Sequence, residues 1–357
     1  MNAMVLRRGL LLLVAATLLT GLLGGLARLG VLLAWGPQVA GAHGALLVLG
    51  AFAAVIGVER AVALGDARGL LAPMLSALGA MGLIVAAPFA PWLLTAGALA
   101  LVFLNLIIVR RQPAAFTVLM ALGAAVLAFS AAAWASGASL QAVSPAWQVF
   151  FVLTIVSERL ELSRLVATPR WATSALVLLC ASAAVFGGAS ALGLDVGRLL
   201  GGVFVALGAW QLRFDLARVV LRRGGLPSFS ATGVLLGAGW LVVAGVLLLL
   251  PESGTWRTDA VLHAVFIGYV LSMVFAHAPI ILPAVARLDV PFTPALFLPL
   301  ALLHLGLAVR VGADLGGSFA LRQAGAIVSA VSLVVFAVTV VLSRVTRGRR
   351  ELVRSAG

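Results

Sequence analysis

The side chains of this sequence with the most chemical capacity are four histidines, His43, His263, His277 and His304, each inside a long apolar stretch. Imidazole is costly in hydrocarbon unless it finds a partner, so a histidine within a membrane span marks a functional site by default. Neutral imidazole is also the commonest metal ligand among side chains. His43, His263 and His304 fall about five, four and seven residues from one end of their apolar segments, so the helical rise sets all three roughly 6–11 Å below the same boundary. Three imidazoles at matched depth would suit a haem or a copper ion. No carboxylate or thiolate is apparent at that level, which disfavours zinc.

His263 and His277 are fourteen residues apart. On an unbroken α-helix that spacing turns them only about 40° from one another and sets them about 21 Å apart along the axis. The spacing resembles the histidine pair on each haem-carrying helix of cytochrome b, although this chain has no second helix with such a pair. Haem needs an apolar cleft, an axial imidazole and small residues that admit the macrocycle. Gly41, Gly44 and Gly50 accompany His43, and Gly268 follows His263. Arg28, Arg257 or Arg310 are candidates to pair with propionates. The four histidines are therefore the candidate cofactor ligands, with His43, His263 and His304 the metal set.

Glu59, Glu158 and Glu161 close their apolar segments beside Arg60, Arg159 and Arg164. They read as an interfacial ion-pair network or as a proton relay, since carboxylates carry protons in membranes. Tyr269, the only tyrosine, falls mid-span, where its hydroxyl needs a partner, and joins the candidate relay. Met273 is a conceivable axial thioether, and Asn105, Gln148 and Gln211 are expected interhelical hydrogen-bonders. The single Cys180 reads as a small buried hydrophobe.

The elements that must position these groups are membrane helices. The chain is 63% hydrophobic and 10% charged over 357 residues, a composition foreign to soluble domains. About twelve apolar runs long enough to span a bilayer recur, near 9–30, 38–58, 70–88, 92–109, 115–135, 146–165, 173–193, 199–217, 229–250, 259–283, 292–311 and 322–343. The sixth and eighth carry charges at their inner ends. Runs this uniform exclude barrel strands. The expected fold is an all-α, polytopic integral membrane helix bundle, a single transmembrane domain over 1–357. The first run follows Arg7 and Arg8 like a signal peptide, but Arg28 and Trp35 follow it without a small-residue cleavage pattern, so it is expected to be retained.

All 24 basic residues are arginine, and with both termini cytoplasmic 19 fall inside and 5 outside. The net charge of +13 therefore reflects topology and contact with anionic lipid, not nucleic-acid binding, and the tail Arg344–Arg354 reads as a lipid-facing anchor. Loops are short. Val58-Glu59-Arg60 and Ser157-Glu158-Arg159 form a faint internal echo. Pro279, Pro283, Pro291, Pro294 and Pro299 predict a tight, proline-capped turn between the tenth and eleventh spans.

Leu262-His263-Ala264-Val265-Phe266-Ile267-Gly268 followed by Met273 resembles the late histidine helix of the NnrS family. His43-Gly44-Ala45-Leu46 leading to Gly50-Ala51-Phe52 resembles that family's early histidine helix, and Leu307-Ala308-Val309-Arg310-Val311 resembles part of its C-terminal pair. The resemblance covers about a third of the chain. It implies a twelve-helix inner-membrane protein that binds haem b, with copper as a further cofactor, and handles nitric oxide or another small gas. Where the family often carries His-x-His-Glu, this chain has Ala42, a lone His43 and Gly44, and its second late histidine comes sooner, at His277; both departures bear on copper more than on haem. The His-Pro-Glu and His-His motifs of haem–copper oxidases are absent. The rival expectation is a proton-coupled secondary transporter that uses the buried histidines and glutamates.

Overall fold

Backbone polar groups in lipid must satisfy one another within their own segment, and these apolar runs accordingly fold as helices. The computed structural model describes residues 3–31, 36–251 and 256–356, with side chains between 5 and 346. Trp35 and the side chains of Arg347, Arg349, Arg350 and Arg354 lie outside the described residues. Every regular element among the described residues is helical. Among the described residues eleven helices are long and apolar enough to cross a membrane, and there are up to twelve such spans if the pair Gly197–Phe214 and Ala217–Arg223, bent by 41° at its break, counts as one. The protein is an all-α polytopic membrane helix bundle.

That bend is where the expected eighth span carried charge. Asp215, buried, sits in the break; its Oδ1 accepts from the Ala217 amide at 2.7 Å and starts a new turn. A short polar side chain that caps its own backbone competes with helix continuation in this way. The proline-rich turn has the expected character. The tenth span runs through Pro279 and Pro283 to Ala286, and Arg287 ends it in the left-handed region (φ 55°). The Thr293 side chain then caps a 3-10 turn that begins at Pro294.

The helices group into two compact units, one of residues 1–161 and 173–200, the other of 162–172 and 201–357. In the first unit, α1 (Ala3–Arg28) packs along α2 (Pro37–Ala45) and the π-helical segment Leu46–Phe52 that extends it. α3 (Ala53–Leu64) completes this bent span and packs on α4 (Leu71–Ile84), after which α4, α5 (Ala90–Arg111) and α6 (Ala115–Ala135) form successive hairpins. α7 (Leu140–Leu162) is buried on all sides from Ala146 to Ser157, as a largely apolar helix must be. Phe151 meets Phe52 edge-on at 5.9 Å, and Ser190 of α8 (Arg170–Ala191) donates to the Ala142 carbonyl at 2.9 Å.

The second unit contains α9 (Gly197–Phe214) from Gly201 onward, the short α10 (Ala217–Val220) and α11 (Gly225–Leu249). There follow α12 (Arg257–His263), the π-helical segment Ala264–Leu271, α13 (Ser272–Ala286), α14 (Phe297–Gly316) and α15 (Phe319–Ala356). Phe229, Phe275, Leu296, Leu300 and Leu303 form its buried core, against which Phe336 stacks on Phe275 with ring centres 4.2 Å apart.

The two units share a plan. Each has a span broken by a π-helical segment, packed on the helix before it (α1 or α11) and the helix after it (α4 or α14), which turns back into the next (α5 or α15). Each π segment also holds one glycine that close packing requires. A Cβ on Gly50 would lie 2.7 Å from Ala80 Cβ of α4, and one on Gly268 would lie 2.4 Å from Trp240 Cγ of α11.

Candidate functional site

The π segment begins three residues after His43 and one residue after His263. Insertions of this kind recur at functional sites, because an i→i+5 turn displaces side chains from the regular helical rows. The 100° step that would align His263 with His277 does not apply across these eight residues.

Partner chemistry assigns the protons on each ring. A carbonyl oxygen only accepts, so a ring nitrogen bonded to one must carry hydrogen. His43 Nδ1 lies 3.2 Å from the Ala40 carbonyl, His263 Nδ1 2.7 Å from that of Asp259, and His277 Nδ1 2.8 Å from that of Met273. In the neutral form all three rings are therefore protonated at Nδ1 and carry their lone pair on Nε2. His304 is the reverse. The Trp240 indole N–H only donates, and it reaches His304 Nδ1 at 2.9 Å. His304 Nε2 must then hold the hydrogen, which it gives to Ser272 Oγ at 3.1 Å, while the Ser272 hydroxyl donates to the Gly233 carbonyl at 2.7 Å. Both nitrogens of His304 are spent on packing α14 against α11 and α13.

His263 also faces a carboxylate. Asp259, one turn earlier, places Oδ2 3.2 Å from His263 Nδ1. The same oxygen takes Arg310 Nη2 of α14 at 2.9 Å, Arg310 Nε at 3.3 Å and Arg322 Nη2 of α15 at 2.9 Å. Arg322 reaches on to Asp314, with Nε 2.9 Å from Oδ1, and its guanidinium lies 5.0 Å from the centre of the Trp256 ring. That contact with Asp314 is ionic without hydrogen-bond alignment, and both oxygens of this fully covered side chain lack an aligned donor among the described residues. Two aspartates, two arginines and a histidine thus join the ends of α12, α14 and α15. Such a network carries a large desolvation cost, and Asp314 is left without an aligned donor in it.

Two further polar contacts involve the candidate relay. The Tyr269 hydroxyl, fully buried, donates to Gln211 Oε1 at 3.1 Å. In the first unit Arg60 of α3 pairs with Glu158 of α7 and with Glu59 at 3.2 Å, and its Nη1 lies 3.3 Å from Met120 Sδ. The echoed Val58-Glu59-Arg60 and Ser157-Glu158-Arg159 segments thus meet in space. Glu161 is exposed at the end of α7, and Cys180 is fully buried.

His263, His277, His304 and Tyr269 share the second unit, whereas His43, Glu59, Glu158 and Glu161 belong to the first. Among the described residues no group of three or more His, Cys, Asp or Glu side chains is placed to hold a metal ion. Several groups with a role here escaped the sequence reading. Asp259 supplies the carboxylate thought missing from the level of His263, and it holds Arg310, which was expected to be available to a propionate. Arg257 Nη1 is turned to the Leu247 and Leu250 carbonyls. The i, i+4 spacing of Asp259 and His263 was the available signal for this site. Asp314 and Arg322, on separate helices, had none.

The family described as a domain of unknown function, DUF8744, matches residues 7–345. The chain belongs to this family. No curated protein matches it.

Proposed function

We propose that this DUF8744 protein lies in a bacterial-type inner membrane with both termini cytoplasmic, binds haem through histidine Nε2, and serves the handling of nitric oxide or another small gas. One observation supports this above the others: Nδ1 of His43, His263 and His277 is committed to a carbonyl acceptor, the arrangement that orients imidazole as a metal ligand through its other nitrogen. His263 fits best, because Asp259 adds a carboxylate to the carbonyl that holds its ring. Bound haem would supply an iron able to take a diatomic gas. Asp259 would hold the His263 ring in one tautomer, while Arg310 and Arg322 fix that carboxylate in place. A copper centre built on His43, His263 and His304 does not fit these residues, since His304 has no uncommitted nitrogen lone pair. The test is an absorption spectrum with iron analysis of protein purified from haem-replete cells. A Soret band is expected, lost in His263→Ala and kept in His304→Ala. Colourless, iron-free protein would refute the reading.

One observation favours a second reading, a proton-coupled secondary transporter. Asp314 is a covered carboxylate with no aligned donor beside a histidine-containing charge network, the chemistry of a proton-binding site. In that case proteoliposomes loaded with a pH-sensitive dye would show proton flux under an imposed pH gradient and lose it in Asp314→Asn. Flux equal to that of empty vesicles would exclude it.

A further inference from the structure

The bend between α9 and α10 opens a cavity of about 750 Å³ in the second unit. Its wall carries three arginines, Arg213, Arg218 and Arg222, together with Thr168 from the strap that precedes α8. None of the three guanidinium groups has an ion-pair partner among the described residues. Arg213 lies over the Phe214 ring with 5.0 Å to its centre, and Arg218 Nη1 donates to the Arg213 carbonyl. Asp215 is the one carboxylate in the wall, and its Oδ1 is turned to the Ala217 amide. The wall therefore holds a surplus of two formal positive charges. The Thr168 hydroxyl is covered and has no hydrogen-bond partner among the described residues. A buried polar group left unpaired carries a penalty that a ligand could relieve.

The cavity is a built feature. Trp210 of α9 donates its indole N–H to the Ala172 carbonyl at 2.8 Å, and Trp171 meets Phe214 edge-on at 5.6 Å. These contacts clamp the strap of Val166–Thr168 to the end of α9. Exposed apolar side chains adjoin it, with Leu165 71% and Val219 54% exposed.

We infer that this cavity binds a phosphate-bearing anion, and that an acidic phospholipid headgroup is the form that fills it. Guanidinium forks match phosphate oxygens two at a time, a hydroxyl adds a further donor, and the volume falls within the range of small-ligand sites. The exposed apolar rim supplies a surface for acyl chains, and basic pockets at the ends of membrane helices take headgroups in this manner.

The test is native mass spectrometry of the detergent-purified full chain with phosphatidylglycerol or cardiolipin, set against phosphatidylcholine and against inorganic phosphate alone. Retention of the acidic lipids is expected, weakened about fivefold for each arginine changed to glutamine and about a hundredfold in the R213Q/R218Q/R222Q triple variant. Thr168→Val should weaken it by a smaller factor without touching charge. Saturable binding of inorganic phosphate that the triple variant loses would support the same site with a soluble phosphate as its source. Acidic-lipid and phosphate binding both unchanged in the triple variant would overturn the proposal, as would equal retention of phosphatidylcholine.

Discussion

Asp259 is the hub of the charged network, and its removal has a calculable consequence. In Asp259→Asn one carboxylate oxygen that serves Arg310 twice, Arg322 once and His263 once is replaced by an uncharged group. Arg322 retains its contact with Asp314, but among the described residues Arg310 keeps no carboxylate. The Arg310 side chain is only 9% exposed, so its charge cannot return to solvent without opening the ends of α12 and α14. Breaking a buried pair costs about 3–5 kcal/mol through the charge left behind. Asp259 is 23% exposed, so screening sets the expected loss near the lower end, about 3 kcal/mol. Arg310→Met is expected to cost less, because Asp259 keeps Arg322 and His263 as partners and most of the side-chain volume remains. Reversible unfolding in mixed micelles, followed by far-UV circular dichroism, gives each value. The double variant should be more stable than the two single losses predict by at least about 1 kcal/mol, the coupling expected of groups in one network. Additivity within about 0.5 kcal/mol would show that the two side chains do not share a charge balance and would refute the reasoning.

Trp240→Phe removes the indole donor that reaches His304 Nδ1; a loss of about 1–3 kcal/mol is expected, with nitrogen NMR of the ring showing that His304 changes its hydrogen-bonding state. Gly268→Ala would set a methyl 2.4 Å from Trp240 Cγ, so overpacking of about 1–3 kcal/mol is expected in the same unfolding measurement, together with loss of the Trp240–His304 bond. Cys180, with no exposed surface, is expected to resist maleimide labelling in the folded protein and to react fully in denaturing detergent. Rapid labelling in the native state would show α8 to be less well packed than described.

Hydrophobic run length determined the class of this protein, because a bilayer admits a long apolar segment only as a helix whose backbone bonds close within itself. Runs such as 70–88, 92–109 and 115–135 carry no charge and needed nothing further. The eighth did not follow from run length alone, since a buried aspartate can end one helix and cap the next while the surrounding residues stay apolar. The π-helical turns after His43 and His263 were likewise invisible: nothing in Gly-Ala-Leu-Leu or Ala-Val-Phe-Ile departs from an α-helical pattern, and only the neighbours on α1, α4, α11 and α14 impose the extra residue per turn. Residue type picked out the four histidines as the chemically costly groups. Which ring nitrogen carries the hydrogen depended on partners up to 64 positions away, as with Trp240 and His304. Composition and periodicity act along the chain and so can be read from it; hydrogen-bond direction and ion-pair membership act between helices, and only their packing decides them.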